Sequence, residues 1–146
     1  MENILQKTIG CALGFLLLAQ LPVIGQNSPA SGFVGEWANK DFNTRDITRI
    51  HIRLKNSRVT VHMWGRCHPQ ECDWGDTTAT VSDQALSLTW KQAFAVKTQE
   101  LTLLADGSLQ LTEHCHFTDD SGRKDYDIKD TFAKGLVHDW SDPPSK

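Results

Sequence analysis

The stretch Leu101-Thr102-Leu103-Leu104-Ala105-Asp106-Gly107-Ser108-Leu109-Gln110-Leu111 decides the fold. Apolar and polar residues alternate on either side of an Asp-Gly pair, the pattern of two strands joined by a turn rather than of a helix. A tight two-residue turn would pair Leu104 with Leu109 and split the leucines between the two faces of the sheet. A longer turn, with Gly107 in the left-handed region and a bulge beside it, pairs Leu103 with Leu109 and Leu101 with Leu111. All of these leucines then share one side, which is what a sheet with one buried face requires. Continued along the chain, this register points Glu113, Cys115 and Phe117 inward and His114 and His116 outward.

The same period runs through the rest of the chain, and helical spacing is never sustained beyond a turn or two. Ile50, Ile52 and Leu54 share one face of a strand, with Arg49, His51 and Arg53 on the other. Val59, Val61 and Met63 repeat the pattern opposite Thr60, His62 and Trp64, and the turn Lys55-Asn56-Ser57 makes the two a hairpin. Asp119-Asp120-Ser121-Gly122 turns the chain into a last strand carrying Tyr126, Ile128 and Phe132 on one face. With strands over 33–39, 76–82, 85–91 and 97–104 the count reaches about eight, joined by short turns, which is the spacing of an all-β, antiparallel up-and-down barrel. The barrel is expected over 33–134, after a linker at 26–32 and before a tail at 135–146. That tail contains Pro143-Pro144 and a Trp140 able to dock back onto the barrel.

Residues 1–25 read as a signal peptide: Lys7 makes the start basic, an apolar run extends from Ile9 to Leu21, and small and turn-forming residues follow. Gln20 and Pro22 cut the run short of the roughly 20 residues a spanning helix needs. Cleavage is expected before Gln26, or as late as residue 30. Cys11 lies at the start of the apolar run, not its end, which argues against a lipid anchor. The mature chain is expected to be secreted or periplasmic, and to touch a membrane only through an uncleaved leader. A net charge of −3, with both signs scattered, leaves no basic stripe for nucleic acid.

An oxidising compartment makes a disulfide between Cys67 and Cys72 the expected pairing, closing the loop His68-Pro69-Gln70-Glu71. Cys115 is then left over, buried as a small apolar residue or available for an intermolecular bond. Trp64, Arg66, His68, Glu71, Asp73 and Trp74 crowd around this loop. Two amphipathic rings beside fixed charges suit sugar stacking, a carboxylate ligand or a protein partner, and equally suit a loop pinned over an open barrel end.

His114 and His116, two apart on one strand face, are candidate metal ligands if His62 lies on an adjoining strand. Cys67 and Cys72 are poor ligands once oxidised. No nucleophile elbow, paired-histidine helix or phosphate-cradling glycine loop is present, so no catalytic residue and no cofactor is assigned. An inward Glu113 is either a general acid or the partner of an inward basic group. Asp119, Asp120, Asp125 and Asp127 do not have the spacing of a calcium loop.

Gly35-Glu36-Trp37 resembles the Gly-x-Trp start of lipocalins and other calycin barrels, and the opening of avidin. That resemblance implies a Trp37 that closes one barrel end beneath a basic side chain from near the last strand, for which Arg123 is the candidate. The segment from Val61 to Gly75, with Thr44–Ile50 and Phe117–Arg123, resembles a module found in uncharacterised secreted bacterial proteins, a resemblance that supplies no catalytic residues. The function expected is non-catalytic binding of a small ligand, a glycan or a protein by a rigid barrel and its Trp-rich loop. An enzyme inhibitor and a metal-binding protein or metal-dependent enzyme using His114 and His116 are the alternatives.

Overall fold

A computed structural model describes residues 28–136 and 138–140. The expected signal peptide at 1–25, the cleavage point before Gln26 and the Pro143-Pro144 end of the tail lie outside the described residues. A short 3₁₀ turn, Pro29–Phe33, leads into eight strands: β1 (Gly35–Asn39), β2 (Ile47–Lys55), β3 (Arg58–Gly65), β4 (Cys72–Val81), β5 (Ala85–Lys91), β6 (Ala95–Leu103), β7 (Leu109–Phe117) and β8 (Tyr126–Lys134). Each pairs antiparallel with the next, and β1 pairs with β8, so the sheet closes into an eight-stranded up-and-down barrel.

The β6–β7 hairpin adopts the bulged register. Leu103 faces Leu109 and Leu101 faces Leu111, with Gly107 at φ 80°. Leu101, Leu109 and Leu111 are fully buried, and Leu103 emerges at the rim. Between β2 and β3 the turn is Asn56-Ser57, both at positive φ, because Lys55 pairs directly with Arg58. β4 begins at Cys72 rather than near residue 76. Its ladder with β3 continues past an extra residue, Trp74, so that Met63 faces Gly75 and Trp64 faces Asp73.

The two ends of the barrel are built differently. One end is plugged by the 3₁₀ turn, whose Ala30 and Phe33 are buried with Ile50, Ile52, Val61 and Phe132. Trp37 belongs to this plug and donates its indole N–H to the Phe33 carbonyl at 2.8 Å. The basic group over its ring is Lys134, at 5.1 Å, and not Arg123. Arg123 precedes β8 while Trp37 pairs with Lys134 at the end of that strand, so Arg123 sits at the opposite end of the barrel. There its guanidinium lies over Phe117 at 4.1 Å and bonds Asp119.

The opposite end, the mouth, carries the Cys67–Cys72 disulfide, a bond that an oxidising compartment sustains. Cys115 is free and buried. Trp140 docks back onto the chain rather than extending as a tail. It is buried against Phe42 and His138, with its carbonyl held by Arg66 at 2.5 Å.

Candidate functional site

Below the mouth the barrel interior turns polar. Lys97 on β6 faces Cys115 on β7, and Gln99 faces Glu113, so an amine, an amide and a carboxylate project into the same layer. Lys97 and Glu113 are 5% and 2% exposed. A buried charge is tolerated only when it is paired and hydrogen-bonded, and both conditions hold here. Lys97 Nζ and Gln99 Nε2 donate to the two oxygens of Glu113, and Trp90 Nε1 donates to Gln99 Oε1 at 2.9 Å. The inward Glu113 is thus partnered by an inward basic group.

Above this floor the mouth is walled by aromatic rings. Trp74 and Trp90 meet edge to face, 5.7 Å apart. The Lys97 ammonium lies 4.9 Å from the Trp74 ring and 5.7 Å from that of Tyr126. Trp74 reaches this position because it is the bulged residue: Gly75 beside it adopts φ 78°, and Gly65 lets the indole lie against the backbone where any Cβ would meet it at 2.7 Å. Together with Phe94 and Asp46 these rings line a cleft of about 520 Å³ beside the disulfide.

Electrostatics at the mouth follow from this burial. Burial is the main cause that pushes the Asp46 carboxyl above the usual carboxylate range; Lys97 opposes it, while Glu113 and Asp130 add to it. Asp130 is raised in the same way, against the hydrogen bond from Asn39. For Lys97 burial works against the charge, but the Glu113 hydrogen bond and the surrounding negative groups outweigh it and leave the ammonium more firmly protonated. Tyr126 is raised, chiefly by burial.

The residues expected to form one rim divide between two surfaces. Trp74 lies in the mouth. Trp64 faces outward, with the Arg49 guanidinium over its ring at 4.1 Å and the His62 ring tilted against it at 4.2 Å. Glu71 is also outside, bridging Arg49 at 2.6 Å and the Thr48 hydroxyl. Asp73 bonds His62 at 2.7 Å and the Gly75 amide. Arg66 holds the C-terminal segment through the Trp140 carbonyl, and His68 is exposed in the disulfide loop. The bulge at Trp74 breaks the symmetry that the repeated Trp-Gly pairs imply. Lys97, Gln99, Trp90, Tyr126 and Asp46 were missed as site residues. The β6–β7 register carried a signal for two of them, since pairing Leu101 with Leu111 sets Gln99 against Glu113 and Lys97 against Cys115.

His62 does not approach His114 and His116. It lies on β3, which does not neighbour β7 in the barrel, and both its ring nitrogens are engaged, by Asp76 at 2.8 Å and by Asp73. His114 and His116 are exposed, with Nδ1 bonded to Asp127 at 2.8 Å and to Asp125 at 2.7 Å. Among the described residues no group of three or more His, Cys, Asp and Glu side chains is arranged to hold a metal ion. No family model, no curated protein and no solved structure matches this chain.

Proposed function

We propose that this chain is a secreted or periplasmic binding protein without catalytic machinery, and that it engages its partner at the barrel mouth. The observation that carries this reading is the aromatic cleft beside the disulfide, set over a floor whose polar groups already bond one another. Such a surface gains from stacking and loses little entropy, because its rings are held in place by the barrel. The interior beneath is filled with side chains, which favours a protruding part of a protein or glycan over a small molecule engulfed by the barrel. The Cys67–Cys72 bond and the signal-like leader support the compartment. The up-and-down connectivity and the Trp37 plug are features that a calycin relationship would share.

Tryptophan emission of the mature protein, titrated separately with short oligosaccharides and short peptides, tests this. The expected result is a shift for one ligand class, and at least tenfold weaker binding in Phe94→Ala, whose ring is 41% exposed at the rim, with thermal unfolding unchanged. Binding that is indifferent to Phe94→Ala overturns the reading. The exposed tip His68-Pro69-Gln70 favours a second role, an inhibitor that presents this clamped loop to an enzyme cleft. In that case His68→Ala is the damaging variant, not Phe94→Ala.

A further inference from the structure

The barrel wall is not evenly sealed. β4 and β5 are ten and seven residues long, yet their ladder holds only the pairs Thr80↔Ser87 and Val81↔Leu86. By contrast, β6 and β7 stay in register from Ala95 opposite Phe117 to Leu103 opposite Leu109.

The bond from the Ser82 amide to the Ala85 carbonyl closes the β4–β5 hairpin. Hydrogen-bonded rungs fall on every second pair of an antiparallel ladder. The next ones would therefore be Thr80 with Ser87, Thr78 with Thr89, and Asp76 with Lys91. The last two are not formed. Instead the Thr77 hydroxyl spans to the Thr89 carbonyl at 3.4 Å. The bulge at Trp74 and the edge-to-face pair of Trp74 and Trp90 lie at the wide end of the split. The mouth cleft, lined by Cys72, Asp73 and Lys91 as well as these rings, adjoins the same ends of β4 and β5. On the outer surface the short side chains of Thr78, Thr80, Ser87 and Thr89 border the split and form one margin of a broad groove that runs on across β6, β7 and β8 as far as Lys129.

We propose that the split between β4 and β5 is a strand-addition site, which takes an extended polypeptide whose main chain pairs with Thr78 and Asp76 on one side and Thr89 and Lys91 on the other. This rests on the binding role given to the mouth and names the partner class. A row of main-chain donors and acceptors in alternating register is matched by another extended backbone, and by neither a sugar nor a compact small molecule. Threonines along both edges accept a pleated neighbour. Every second side chain of the added strand faces inward, which brings one of them against Trp74 and Trp90. Entry requires the strands at the split to stand about twice the ordinary inter-strand spacing of about 4.8 Å apart, and it displaces the Thr77–Thr89 bond.

Amide hydrogen exchange of the free protein reads the split directly. The Thr78 and Thr89 amides are expected to exchange as fast as that of Asp83 in the turn, and amides in the β6–β7 ladder to be protected. A labelled peptide, acetyl-Ala-Leu-Ser-Leu-Thr-Trp-Lys-amide, copies Ala85–Lys91 and serves as the probe. It is expected to bind the mature protein, to slow exchange at Thr78, and to bind at least tenfold more weakly when its alternate amides are N-methylated. Thr78→Pro removes a donor that makes no rung, so the variant is expected to fold and to lose at least tenfold in peptide affinity. Protection of Thr78 and Thr89 in the free protein, absence of peptide binding, or equal binding by the N-methylated probe or by Thr78→Pro each overturns strand addition. The exchange measurement decides even if Thr78→Pro does not fold. Binding that survives Thr78→Pro but falls in Phe94→Ala retains the mouth and removes the split.

Discussion

The plugged end of the barrel and its mouth are made from the same eight strands, yet they solve opposite problems. At the plugged end a strand residue points inward to meet Phe33, Trp37 or Phe132, and burial of apolar surface is joined only by the Trp37–Phe33 hydrogen bond and the Lys134 ammonium over the Trp37 ring. At the mouth the inward positions of the same strands carry Lys97, Gln99 and Glu113, whose burial is tolerable only because each satisfies another. Closure is tight at the first end and interrupted between β4 and β5 at the second. Stability is therefore concentrated at one end, and the groups available for recognition at the other.

The contrast is sharpest in a pair of substitutions. Phe132→Ala, at a fully buried position, is expected to cost about 3–5 kcal/mol in urea unfolding, whereas Phe94→Ala at the mouth should stay within about 0.5 kcal/mol of the parent. Equal losses would mean that the mouth shares the core. Lys97→Met comes next, at about 3 kcal/mol, because it leaves the Glu113 carboxylate buried without its cation. Adding Glu113→Gln removes that charge while keeping an acceptor for Gln99, so the double variant should recover much of the loss; no recovery would show that the pair is not coupled.

Reduction of Cys67–Cys72 follows in size. Closing so short a loop is worth about 2 kcal/mol in the chain-entropy account, and the loss on reduction should leave the plugged end's amide protection unchanged.

The smallest expected effect is a dependence on pH. Asp46 and Asp130 have raised folded-state values, with burial as the first cause, so the folded state holds their protons more tightly than the unfolded chain does. Their contribution to stability falls as pH rises from the ordinary carboxylate range through the raised values. Asp46→Asn should therefore gain stability relative to the parent at pH 7 and show less gain at pH 3.5, where both forms are neutral. The exposed Asp76, with its value lowered chiefly by His62, and Asp125, lowered chiefly by His116, act in the opposite sense. They lose their stabilisation as pH falls, and comparison of variant with parent cancels them.

Much of the fold was legible because a strand's side-chain period is local. The alternation around Asp106-Gly107 selects the bulged register, and that register correctly turns Glu113 and Cys115 inward and His114 outward. The candidate site was less legible. Trp64 and Trp74 look equivalent as a repeated Trp-Gly pair, but one extra residue in β4 changes which way its neighbours face, and the run around Trp74, unlike that around Asp106-Gly107, has no apolar alternation in which the extra residue would show. The supposed approach of His62 to His114 failed for a related reason, since alternation says which face a residue takes but not which strands are neighbours.

What the sequence determined by itself is the all-β class, the inward and outward sets of β2, β3 and β7, the hairpin register and the cysteine pair, all of which rest on contacts between residues close along the chain. Tertiary structure alone decided that Lys134 rather than Arg123 covers Trp37, that Trp74 joins Trp90 in the mouth, and that β4 and β5 part company. Each of these depends on how far a strand runs and how the closed sheet bends, and those quantities are set by packing around the whole barrel rather than by any one segment.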